Sequence, residues 1–86
     1  MPHTKSARKR MKQSLRRRTA NRSARSGILT ARRRFLEALA KGDKVQSQEL
    51  FRRYCSVLDK AAKKGVIKAN AANRRKSRAA LKLKAL

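Results

Sequence analysis

A chain of 86 residues has room for one small domain with a modest core. Its 27 lysines and arginines face only 4 acids, a net charge of +23 that internal salt bridges cannot neutralise and that calls for a polyanionic partner: nucleic acid first, an anionic membrane surface second. The lone cysteine, Cys55, excludes an internal disulfide or a cysteine metal cluster, no apolar run nears the roughly 18 residues of a membrane span, and no apolar stretch follows the basic start as in a secretory signal.

Helix is predicted throughout. Alanine, leucine, lysine and arginine dominate, glycine is confined to Gly27, Gly42 and Gly65, and the sole proline is Pro2. The first helix is expected near 5–41, with Gly27 tolerated inside it at a cost of about 1 kcal/mol relative to alanine. Its second half repeats apolar residues at helical spacing: Ile28, Leu29, Phe35, Leu36 and Leu39. Its first half offers only the thin line Ala7, Met11 and Leu15. There Lys5, Arg8, Lys9, Arg10, Lys12, Arg16, Arg17, Arg18, Arg22 and Arg25 surround the axis on nearly every side. A helix charged all round cannot lie on a core. This half is expected to project beyond the bundle, or to stay frayed until a polyanion orders it. At 1.5 Å rise per residue these cations recur about every 3 Å, dense enough to follow a phosphate backbone.

Gly42 followed by Asp43, with Gln46 three residues on, reads as a glycine stop and then an acidic N-cap of capping-box type. A second helix is expected near 44–64, with Val45, Phe51, Tyr54, Leu58 and Ala61 or Ala62 on its core side. Lys63-Lys64-Gly65 repeats the stop signal. The third helix, near 68–85, carries a weaker stripe of Ala72, Ala79, Leu83 and Leu86, interrupted by Lys76. Short turns make neighbours antiparallel, so the expected fold is all-α: a three-helix antiparallel bundle, up-down-up, whose long N-terminal helix projects beyond it.

Charge is distributed to match. Glu37, Asp43, Glu49 and Asp59 all lie between positions 37 and 59, and both ends are free of acids. No catalytic constellation is present, and no cofactor, metal or small-molecule substrate is expected. His3 reads as a surface residue or a minor phosphate contact, Cys55 as a small packing residue, and Asp59 as spaced for an ion pair with Lys63. Phe35, Phe51 and Tyr54 all fall on apolar stripes, so the basic segments contain no aromatic stacking platform of the kind single-strand binders display. Phosphate and ribose contact remains, positioning the protein by shape with little direct reading of sequence. Ser6, Ser14, Asn21, Ser23 and Ser26, interleaved with the bases, suit hydrogen bonds to phosphate or 2′-hydroxyl oxygens, or simple helix-surface filling.

Several of these stretches together resemble the S-twenty family of bacterial small-subunit ribosomal proteins, over essentially the whole chain. They are Lys5-Ser6-Ala7-Arg8-Lys9-Arg10, Asn21-Arg22-Ser23 with Arg25-Ser26, and the Gly42-Asp43-Lys44 turn. Asp59-Lys60-Ala61-Ala62-Lys63-Lys64-Gly65-Val66-Ile67 follows, then Asn70 with Arg74-Arg75-Lys76-Ser77-Arg78. The resemblance implies one domain spanning 1–86, bound to the 5′ domain of small-subunit ribosomal RNA and near its long penultimate stem, supporting assembly in the ribosome of a bacterial or organelle-encoded, cytoplasmic setting. Other small-subunit components would be neighbours, and no membrane or homo-oligomeric partner is implied. RNA contacts would carry over to Lys5, Ser6, Arg8, Lys9, Arg10, Lys12, Gln13, Arg16, Arg17, Arg18, Asn21, Arg22, Arg25 and Ser26, and to Lys68, Asn70, Arg74, Arg75, Lys76 and Arg78. The chain departs from the family after Ile67, where Ala69 and Ala71 replace two bases and Asn73 an alanine. The Lys5-Ser6-Ala7 motif stands as far from Met1 as in mature family members, against a cleaved transit peptide. A DNA-compacting histone-like protein is the alternative on composition. A membrane-active helix is disfavoured by the sparse Ala7, Met11, Leu15 line.

Overall fold

The computed structural model describes residues 4–86. It has three helices and, among the described residues, no strand: α1 (Lys5–Lys41), α2 (Lys44–Lys63) and α3 (Ala69–Lys84). The predicted boundaries hold to about a residue because each is set by local chemistry. Thr4 caps α1, its Oγ1 accepting the Ala7 N–H at 3.1 Å. Gly42 takes the left-handed conformation (φ 74°) that ends α1. Its N–H donates to the Leu39 carbonyl and that of Asp43 to the Ala38 carbonyl, the paired bonds of a Schellman stop. Asp43 then turns round and caps α2, accepting the Gln46 N–H at 3.0 Å. Because the Asp43 N–H is already spent on Ala38, the reciprocal arm of a capping box is replaced. The same stop recurs at Gly65 (φ 80°), with Val66 donating to the Ala61 carbonyl and packing against the core.

The molecule is elongated. Its radius of gyration is 17.3 Å, against about 12 Å for a compact domain of this length. The 59 Å long axis is close to the ~55 Å that 37 residues of α-helix span. α2 has 20 residues, so running antiparallel from Gly42 it can cover α1 only back to about Arg22. The first fully buried residue of α1 is Ile28, and from Arg8 to Ala20 every residue is exposed. The projecting half follows from helix length as much as from charge.

α2 is the centre of the bundle. It packs along both α1 and α3, while α1 and α3 hardly touch each other. The core is Ile28, Phe35 and Ala38 from α1, Tyr54, Leu58 and Ala61 from α2, and Ala72 and Ala79 from α3. Phe35 is its most deeply buried ring, with ring centroids 6.3 Å from Tyr54 and 5.8 Å from the half-buried Phe51. Ser47 is also fully buried, with no partner for its hydroxyl among the described residues.

Three expected core residues lie outside. Leu29 is 65% exposed, Val45 78% and Leu86 43%. Leu29 sits at the edge of the α1 stripe, turned to the side where α3 leaves a gap. Val45 is in the first turn of α2, on its solvent side. Leu86 follows the last turn of α3.

Candidate nucleic-acid interface

The acids are all engaged within the chain. Glu37 lies 3.9 Å from Arg33 and Glu49 3.2 Å from Arg53, both exposed i,i+4 pairs worth little to stability. Asp43 is a cap. Asp59 pairs not with Lys63 but across the bundle, accepting a 2.7 Å hydrogen bond from the Lys76 ammonium. Only three of the bases therefore have an acidic partner among the described residues. The remaining charge is left for something outside the chain.

On α1, Lys5, Ser6, Arg8, Lys9, Arg10, Lys12, Gln13, Arg16, Arg17 and Arg18 are exposed, as are Arg22, Arg25 and Ser26; Asn21 is half-buried. Intrahelical bonds occupy the local hydroxyls without using up the bases: Thr19 donates to the Leu15 carbonyl and Thr30 to that of Ser26. The bases ring the axis, but one stripe is distinctive. Ser14, Arg18, Asn21 and Arg25 recur every three or four residues and line a shallow trough that ends at Leu29. Met11 and Leu15 stay half-exposed, too sparse to compete with the charge.

On α3 the expected residues divide. Lys68 is the N-cap and makes no side-chain cap bond. Asn70, Arg74, Arg75 and Arg78 are exposed. Lys76 is turned inward to α2, between the buried Ala72 and Ala79, and completes the apolar stripe by ion pairing instead of breaking it. The bond from Lys76 to Asp59 raises the lysine's pKa above its ordinary value. Nearby, partial burial pushes the Cys55 thiol up, with Lys76 opposing and Asp59 adding to the effect. His3 lies outside the described residues.

Two bases that composition did not single out join the site. Arg32 on α1 and Lys82 on α3 face each other with Arg75 and Arg78 across the α1–α3 gap, a cleft of about 560 Å³ floored by Phe35 and Tyr54. The signal was in the sequence as the i, i+3, i+7 spacing of Arg75, Arg78 and Lys82. It becomes meaningful only once α1 and α3 are known to run side by side without closing. Among the described residues no group of side chains is placed to hold a metal ion, and no helix is long and apolar enough to cross a membrane.

A three-helix bundle that leaves half of its longest helix outside the core, and most of its bases without an acidic partner among the described residues, belongs to the class of helical polycations. The sequence narrows this further. The profile of the family described as ribosomal protein S20 matches residues 2–84. Over its whole length the chain is 44% identical to the small ribosomal subunit protein bS20 of Bordetella petrii, of which it covers 99%, and 46% identical to that of Shouchella clausii, of which it covers 98%. Over 78 residues, 91% of this chain and 90% of the relative, it is 45% identical to the protein of the same name from Geobacter metallireducens. The chain belongs to the ribosomal protein S20 family, a family of ribosomal structural proteins and not of enzymes.

Proposed function

We propose that this protein is a structural constituent of the small ribosomal subunit that binds small-subunit ribosomal RNA directly, in the 5′ domain and beside the long penultimate stem, and supports its folding during assembly. The observation that carries the reading is the projecting half of α1, about 25 Å of helix with cations on every side and no acid. Such a rod neutralises phosphates from more than one RNA helix at once and lets them approach. Lys5 to Ser26 supply this contact, and Lys68, Asn70, Arg74, Arg75 and Arg78 extend it across α3. Lys76 contributes through its bond to Asp59, which holds α3 against α2. With no exposed aromatic among the bases, recognition is of backbone shape. The whole chain acts as one unit and as a single copy, since two chains of this charge repel.

The test is affinity for a transcript of the 5′ domain across a salt series, in competition with duplex DNA. Each phosphate neutralised releases roughly 0.7 to 0.9 counterion, so binding falls steeply between about 50 and 200 mM salt. The ribosomal RNA is expected to outcompete the DNA. A flat salt response overturns the phosphate mechanism, and equal affinity for DNA favours a DNA-compacting role.

A further inference from the structure

Phosphate neutralisation leaves the cleft between α1 and α3 unexplained. Its two walls carry exposed leucines, Leu29 at 65% and Leu81 at 68% exposure, in a chain whose mean hydropathy is −0.83. Around them stand Arg32 on one side and Arg75, Arg78 and Lys82 on the other, and no acid lines the cleft. Its 560 Å³ falls within the ~300–1,000 Å³ of small-ligand sites. Its length along α1, from Ile28 to Leu36, is about 12 Å. The fitting occupant is short, apolar in the middle and anionic at both ends.

The trough on α1 decides between candidates. Leu29 closes the trough and opens the cleft, so the two are continuous, and the stripe Ser14, Arg18, Asn21, Arg25 leads directly to it. An RNA strand whose phosphates follow that stripe arrives at the cleft with a base to place. We propose that the α1–α3 cleft receives one unstacked RNA nucleobase. The base enters between Leu29 and Leu81 and its flanking phosphates sit on Arg32, Arg75, Arg78 and Lys82. Guanidinium planes stack on bases and donate to their edges, so the arginine rim serves an extruded base in the absence of an exposed aromatic ring. An acidic, leucine-bearing peptide would meet the same charge pattern but has no use for the trough. The inference rests on the RNA-binding reading above and adds to it a preference for a bulged or looped nucleotide.

Two RNA hairpins test it, one fully paired and one identical but for a single bulged 2-aminopurine. They are titrated with the full chain and with the double variant Leu29→Asn, Leu81→Asn; both positions are solvent-exposed, and a thermal melt confirms that the bundle is retained. The wild type is expected to bind the bulged hairpin about five-fold or more tighter, the scale of one base contact, and to change the 2-aminopurine fluorescence. The double variant keeps its affinity for the paired hairpin and loses the preference. Equal affinity for both hairpins with unchanged fluorescence, while binding stays salt-dependent, overturns the nucleobase site and leaves the RNA reading standing. Salt-insensitive or absent binding to both overturns the RNA reading and the inference with it. Saturable binding of an acidic leucine-containing peptide, lost in the double variant and without any bulge preference, assigns the cleft to a protein and overturns the nucleobase site.

Discussion

Between Lys5 and Asn21, α1 carries eight bases and no acid, and almost nothing covers it; between Ile28 and Lys41 the same helix buries Ile28, Phe35 and Ala38 against α2 and pairs Arg33 with Glu37. The packed half is stabilised by apolar burial, which no partner is needed to complete. The outer half is opposed by repulsion between like charges at i,i+4, as in Lys5 and Lys9, Arg8 and Lys12, or Arg18 and Arg22. It stays helical because propagation from an existing helix is far less costly than nucleation. One continuous helix thus lets a small core fix the direction of a charged rod that could not build a core of its own.

Breaking the packed half has the largest expected effect. Phe35 is 1% exposed and touches both other rings of the cluster. Phe35→Ala should cost about 3–5 kcal/mol, enough to unfold much of a bundle this small. Phe51→Ala, at a half-exposed ring, should cost distinctly less. Urea titration followed by helical circular dichroism measures both, and equal losses would mean that the ring cluster is not centred on Phe35.

Changing Arg16, Arg17 and Arg18 together to alanine probes the other half. The melting temperature should not fall, because these side chains bury nothing and alanine is the better helix former. Affinity for the 5′-domain RNA should drop, and the slope of log affinity against log salt should shrink by about 2 to 3. A variant that loses the α2 and α3 helical signal instead would show that the two halves are not separable.

How much of this was legible in the sequence depends on whether the cause was local. The helix ends were, since a left-handed glycine and an aspartate cap act within a few residues, and so was the projecting half, from the charge around its axis. The core was legible only as stripes. Periodicity marks an apolar face but not which neighbour covers it, so Leu29 was expected inside although α3 stands too far away to reach it. Small buried residues such as Ala38 and Ser47 carry too weak a hydrophobic signal to be picked out. Lys76 reads as a flaw in the α3 stripe, because its partner Asp59 is 17 positions away, on α2. Lys63, the i,i+4 candidate, lost that aspartate to a lysine brought in by the turn at Gly65.

Gly27 marks the junction of the halves. It lies inside α1 with ordinary helical geometry, and a methyl group there would meet no atom within 4 Å beyond its chain neighbours and the surrounding helix backbone. Gly27→Ala should therefore stabilise the protein by about 0.5–1 kcal/mol, through the backbone entropy that glycine loses on folding. Amide exchange across Arg22 to Ala31 should slow with it. An unchanged melting temperature would mean that the junction is already as rigid as the bundle.

The smallest effect belongs to the Asp59–Lys76 bond, whose side chains are 58% and 30% exposed and hence well screened. Its sign is nevertheless distinctive. Bonding to Asp59 raises the folded-state pKa of Lys76 above the unfolded value, so the stability it contributes is fully present below the ordinary lysine pKa of about 10.4 and is lost as pH climbs through the higher folded value. Only the difference between the wild type and Asp59→Asn isolates the bond. That difference should be constant from about pH 7 to 9 and shrink above about 10.4. It should also be smaller in high salt, whereas the loss from Phe35→Ala should not. A gap between wild type and variant that widens with pH would mean that Lys76 is held by packing against α2 and not by its charge, and that α3 is oriented by Ala72 and Ala79 alone.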